Sequence, residues 1–151
     1  VNEQSREEQA LFLEFSLESL DFMRAGEASN ELKQRLKKLG VKPELVRRAA
    51  IAAYEAEMNV IIHARKGTMR VEITPARLLI LVEDEGPGII DIEQAMQEGF
   101  STASQAIREL GFGAGMGLSN IKRCADNLVI QSTPGQGTRL QITINIEKSD
   151  R

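Results

Sequence analysis

Tryptophan is absent from this 151-residue chain and aromatics make up only 4% of it, so the core must be built mainly from Leu, Ile, Val, Ala and Met. The one cysteine, Cys124, cannot form an internal disulfide, which fits a reducing compartment. His63 is the only histidine, and a lone histidine is not a metal cluster. Lys and Arg number 19 against 22 Asp and Glu, a formal charge of -3, so there is no basic excess to neutralise nucleic-acid phosphates. No apolar run approaches bilayer-spanning length, and the N-terminal VNEQSREEQ has no charged-then-apolar leader. These absences lead to the expectation of a cytoplasmic protein with no membrane and no direct nucleic-acid partner. What is present, 42% apolar and 27% charged residues, is the composition of a globular domain. The length suits one such domain rather than two.

Periodicity divides the chain into elements. After a polar, frayed start over 1–9, ALFLEFSL (10–17) alternates Leu11, Leu13, Phe15 and Leu17 on one face, as a half-buried strand does. ASNELKQRLKKL (28–39) carries Leu32, Leu36 and Leu39 at helical spacing and stops at Gly40. Pro43 opens an Ala-rich helix over 44–64, which Gly67 follows. TMRVEIT (68–74) and RLLILVE (77–83) read as strands joined by a tight connection. A short helix over 91–98, a glycine-punctuated stretch to Gly117, a helix over 117–126 and strands over 127–132 and 138–146 complete the order. The predicted class is α+β, a two-layer sandwich whose mixed, mostly antiparallel sheet is covered by helices on one face. Residues 10–147 form the predicted domain and 148–151 a tail.

Three stretches have residue types suited to chemistry. Glu55 and Asn59 are four apart on the long helix, so they project from one face. Asn offers a neutral oxygen suited to Mg²⁺, and Glu can take a proton from a hydroxyl or water. Taken alone, the pair is equally the composition of a solvated helix face. Asp84-Glu85-Gly86-Pro87-Gly88-Ile89 ends an apolar strand, where an Asp can accept a hydrogen bond from a ligand amino group. It is also the composition of an ordinary turn. Gly111-Phe112-Gly113-Ala114-Gly115-Met116-Gly117-Leu118 runs straight into a helix, a setting in which backbone N–H groups can meet phosphate oxygens. No G-K-[ST] follows, so it is not a Walker A loop, and no βαβ unit surrounds it, so it is not a dinucleotide fingerprint.

The order E-x-x-x-N, D-x-G-x-G-I, G-x-G-x-G-L and G-x-G-T resembles the GHKL, or Bergerat-fold, ATPases across about residues 10–147. The resemblance implies ATP and Mg²⁺ as cofactors, with Asn59 as the metal ligand and Asp84 holding the adenine amino group. It places Gly86 and Gly88 beside the nucleotide, Gly113, Gly115, Met116, Gly117 and Leu118 around the phosphates, and Thr138 near the adenine. Glu55 stands where histidine kinases usually carry an amide; a carboxylate there suits activation of a hydroxyl nucleophile. His63 lies in the same helix as Asn59, and no phosphoacceptor His on a separate helix pair is present. The chain stops soon after its last strand, without the transducer domain of topoisomerases and chaperones.

These features are most similar to the anti-sigma-factor and switch-kinase group. That implies a serine/threonine kinase acting on a STAS-domain partner. A second reading is a nucleotide-gated protein that sequesters a sigma factor with little turnover. A third is the catalytic domain of a histidine kinase. Members of the group often dimerise, although no interface is legible here. Residues 90–110, including Glu98 to Thr102, are either a lid over ATP or a plain connection. Arg65, Lys66, Lys122 and Arg123 are either phosphate-reaching or solvated. Cys124 reads as a small buried residue. Glu57 departs from the family pattern, adding a carboxylate on a different face of the helix, where an exposed position would suit partner contact.

Overall fold

The computed structural model describes residues 10–89, 91–97 and 117–146. Its elements are β1 (Leu11–Glu18), α1 (Glu27–Lys38), α2 (Pro43–His63), β2 (Lys66–Ile73), β3 (Arg77–Glu85), α3 (Ile92–Ala95), α4 (Gly117–Cys124), β4 (Asn127–Thr133) and β5 (Gly137–Asn145). The five strands form one sheet in the order β1-β2-β3-β5-β4. All described pairings are antiparallel, so the mixed component expected of the sheet is not seen among the described residues. β3 and β4 run in the same direction only because β5 lies between them.

Strand alternation decides which sheet face meets the helices. Met69, Val71 and Ile73 of β2 and Leu78, Ile80 and Val82 of β3 all point to one side and are buried. Leu140, Ile142 and Ile144 of β5 continue that layer. The opposite face carries polar rows, among them Glu14, Arg70 and Glu83, with Arg70 3.7 Å from Glu14 and 3.9 Å from Glu83. These exposed pairs contribute at most a few tenths of a kcal/mol each.

Pro43 sits at the first position of α2, where its missing N–H has no intrahelical partner to lose. Ala49, Ala52, Ala53 and Ala56 are buried along α2, and their small side chains let the helix approach the sheet closely. α1 packs on one flank of α2 and α4 on the other. Leu32 and Leu36 of α1 are fully buried, each contributing roughly 1.5–3 kcal/mol of apolar burial. Gly40, with φ +76°, ends α1 as predicted. No helix among the described residues is long and apolar enough to cross a membrane.

α1 has no capping side chain of its own, because Gly26 occupies its N-cap. Glu57 of α2 supplies the cap instead. One carboxylate oxygen accepts the N–H groups of Gly26 at 3.1 Å and Ala28 at 3.3 Å, and the other accepts that of Ser29 at 3.2 Å. Glu57 is only 1% exposed, so an exposed partner-contacting role is ruled out. The positive end of the α1 dipole and the otherwise unpaired N–H groups of its first turn explain why a carboxylate can be buried there.

Candidate functional site

The spacing of Glu55 and Asn59 places both on the flank of α2 that faces α4, and both are half-buried. The first residue of α4 is Gly117. A Cβ there would lie 3.1 Å from Asn59 Oδ1 and 3.2 Å from Glu55 Oε2. The two oxygens thus converge on the point where the glycine-rich stretch enters its helix, and any side chain at 117 would crowd them. Burial pushes the Glu55 pKa up, and a hydrogen bond from the Asn120 side chain partly opposes that rise. Arg123 Nη2 donates to Asn120 Oδ1 at 2.7 Å, which leaves the Asn120 amide nitrogen to serve Glu55. Arg123 therefore braces Asn120. Asn120 escaped the sequence reading because nothing in N-I-K-R distinguishes it from an ordinary helix surface.

His63 is one turn beyond Asn59 and half-buried; burial lowers its pKa and favours the neutral imidazole. Cys124 is half-buried rather than buried, and burial raises its thiol pKa. Arg65, Lys66 and Lys122 are exposed, and Lys66 lies 3.7 Å from Glu85.

A second cluster forms where β3 ends. Asp84 is half-buried, and its Oδ1 accepts the Thr138 N–H at 3.1 Å. Burial raises the Asp84 pKa and this backbone bond partly offsets the rise. The loop after Asp84 is fastened to the β4–β5 turn at three places. Gly86 N donates to Gln136 O at 3.2 Å, Gly135 N to Pro87 O at 2.8 Å, and Ile89 N to Ser132 Oγ at 2.7 Å. The backbones approach so closely that a Cβ on Gly137 would overlap the Asp84 carbonyl oxygen, which explains the glycine before Thr138. Ser132 also lies 3.1 Å from Gly137 O and 2.9 Å from Thr138 Oγ1. The alternation of β4 turns Ser132 inward, but S-T-P-G reads as ordinary turn chemistry, so sequence reasoning missed it.

The structure therefore brings Glu55, Asn59 and Gly117 together at one place and Asp84, Gly86, Gly88 and Thr138 at another. Leu118 is 8% exposed and packs its side chain into the core, leaving only its backbone for a ligand. Gly113, Gly115 and Met116, with the predicted lid residues 98–110, lie outside the described residues. Among the described residues, no group of three or more His, Cys, Asp or Glu is placed to hold a metal ion.

A carboxylate and an amide at a glycine-rich helix start, with a buried Asp under a second glycine loop, define a nucleotide-binding ATPase site. The chain belongs to the Histidine kinase-, DNA gyrase B-, and HSP90-like ATPase family, whose pattern matches residues 45–148. Among its relatives is the serine/threonine-protein kinase RsbT of Bacillus subtilis (strain 168), 37% identical over 98 residues, covering 62% of this chain and 68% of that protein. The anti-sigma F factor of Caldanaerobacter subterraneus subsp. tengcongensis is 40% identical over 97 residues, 61% of this chain and 64% of that protein. The chain thus spans slightly under two thirds of the anti-sigma F factor. One chain in the crystal structure of the SiaB-SiaC complex from Pseudomonas aeruginosa shares the fold, with a TM-score of 0.57 at 16% identity over 93% of this chain and 94% of that one.

Proposed function

We propose that this chain is a Mg-ATP-dependent serine/threonine protein kinase that phosphorylates a STAS-domain partner and acts as a cytoplasmic switch. The observation that carries the reading is the convergence of Glu55 Oε2 and Asn59 Oδ1 at Gly117. The kinase and anti-sigma relatives support it. Residues 10–147 act as one nucleotide-binding unit in this reading. Asp84 and Thr138 hold the base, and the start of α4 offers backbone N–H groups to the phosphates.

The donor set fits Mg²⁺. Asn59 Oδ1 is a neutral oxygen next to a carboxylate, and Mg²⁺ takes few protein groups because phosphates and waters complete its shell. Asn59 would hold it, and the bound ion would neutralise phosphate charge. Glu55 accepts the proton of a partner Ser or Thr hydroxyl. The freed oxygen bonds to the γ-phosphorus, the bond from that phosphorus to the β–γ bridging oxygen breaks, and ADP departs with that electron pair. The raised pKa makes Glu55 a stronger base than an exposed glutamate. Asn120 holds the carboxylate toward the site.

Incubation with γ-labelled ATP and a candidate STAS protein tests the reading. Label on a partner Ser or Thr supports it, and stable complex formation with no labelled partner overturns the kinase assignment. That second outcome would favour the alternative named by the anti-sigma relatives, a nucleotide-gated binder of a sigma factor.

A further inference from the structure

We propose that Ser132 is a positioning residue that sets base selectivity by giving its hydroxyl proton to Thr138, so that the Thr138 proton faces the base next to Asp84. The inference rests on the nucleotide site described above and extends it to a residue outside the glycine motifs.

A serine hydroxyl has one proton and two lone pairs. The Ile89 N–H, 2.7 Å from Ser132 Oγ, occupies one lone pair. The remaining proton and lone pair face two neighbours. Gly137 O, at 3.1 Å, can only accept, whereas Thr138 Oγ1, at 2.9 Å, can do either. If Ser132 donates to Gly137 O, Thr138 must donate to Ser132 and presents only lone pairs to a ligand. If Ser132 donates to Thr138, the Thr138 proton is released toward the site. The shorter contact belongs to the second arrangement.

The chemistry of the base favours the same arrangement. Adenine presents an amino donor next to a ring-nitrogen acceptor, which matches a carboxylate acceptor next to a hydroxyl donor. Guanine presents a carbonyl next to an N–H, the reverse of that pattern. Thr138 is held against Asp84 by its own N–H, so the two polar groups are fixed relative to each other. Ser132 is half-buried on the inner side of β4, and its bond to Ile89 also seats the second glycine loop. A site organised by defined donors discriminates strongly against a ligand that leaves them unpaired.

The test measures ATP and GTP affinity by calorimetric titration of the full chain, with thermal unfolding in parallel. Ser132→Ala is expected to weaken ATP about 5–10-fold, the range for one lost hydrogen bond, and GTP by less than about 2-fold. Ser132→Thr restores ATP affinity to within about 2-fold of wild type, since it keeps the hydroxyl. Ser132→Cys, which keeps the volume with a weak donor, repeats the loss if the alanine variant folds poorly. In a Thr138→Val background, Ser132→Ala leaves the ATP-to-GTP ratio unchanged, because its intermediary is gone. Equal weakening of both nucleotides, or an additive effect in the Thr138→Val background, overturns the proposal and leaves Ser132 a structural residue. Wild-type binding of ATP with an unaffected Ser132→Ala variant overturns this inference alone. Failure of the wild type to bind ATP overturns the nucleotide site as well.

Discussion

Glu55 and Glu57 stand two residues apart on α2 and look out from opposite flanks of it. Toward α4, Glu55 is half-buried and partnered by one asparagine side chain, and burial raises its pKa. Toward α1, Glu57 is almost wholly buried, yet both its oxygens are satisfied by backbone N–H groups. Burial depth therefore does not decide which carboxylate stays reactive; hydrogen-bond saturation does. A fully partnered carboxylate is a structural clamp, and an under-partnered one retains basicity to act on something else.

The comparison would break if the two glutamates exchanged roles on substitution. Glu55→Ala is expected to cut phosphoryl transfer by about 10²–10⁴-fold, with ATP affinity nearly unchanged. Labelled-ATP transfer and nucleotide titration on the same variant check this; loss of binding together with transfer would make Glu55 structural. Glu57→Ala should lower stability by about 2–4 kcal/mol, because it strands the first-turn N–H groups of α1. The denaturant midpoint should fall with an unchanged slope. Asn59→Ala should weaken Mg-dependent ATP binding by about tenfold while leaving Mg-free binding alone, the loss expected for one oxygen ligand among several. Titration with and without Mg²⁺ separates the two.

The smallest effect is the most discriminating, because its sign is unusual. Glu55 works as a base only when ionised, so transfer falls as pH drops through its pKa, and that fall begins at a higher pH than for an exposed glutamate. Stability runs the opposite way. With a folded pKa above the unfolded one, the favourable contribution is full below the unfolded pKa and is lost as pH rises through the folded value. Glu55→Gln should therefore raise the ligand-free Tm at neutral pH by roughly 1–2 °C, modest because the group is half solvated. The gain should vanish in acid. Thermal melts of both proteins across pH would show it, and a lower Tm at neutral pH would contradict the under-partnered reading.

Element positions were legible because their signals are local. The Leu spacing of α1, the Pro43 start of α2 and the alternation in β1 put the predicted boundaries within two residues of those observed there. The pairing of Glu55 with Asn59 followed from helix geometry, and Asp84 and Thr138 followed from family motifs. Glu57 was misread because its partners are backbone N–H groups 28 to 31 residues away, which carry no residue-type signature. Ser132 was missed for a related reason: it holds Ile89 43 residues upstream through main-chain N–H alone. Asn120 is an unremarkable helix residue until the packing of α4 turns it toward Glu55. Backbone partners and interhelical packing are properties of the folded chain, and short sequence windows do not encode them.

The insertion of β5 between β3 and β4 bears on when the protein becomes competent. Asp84 takes its Thr138 partner from 54 residues downstream, on a strand that must enter the middle of the sheet. During synthesis, β1, β2 and β3 can pair as soon as they emerge, since each neighbours the next in sequence. The floor of the base pocket exists only after β5 has docked. A nascent chain exposing Glu55 and Asn59 would therefore still lack the means to hold adenine, so ligand capture is tied to completion of the sheet.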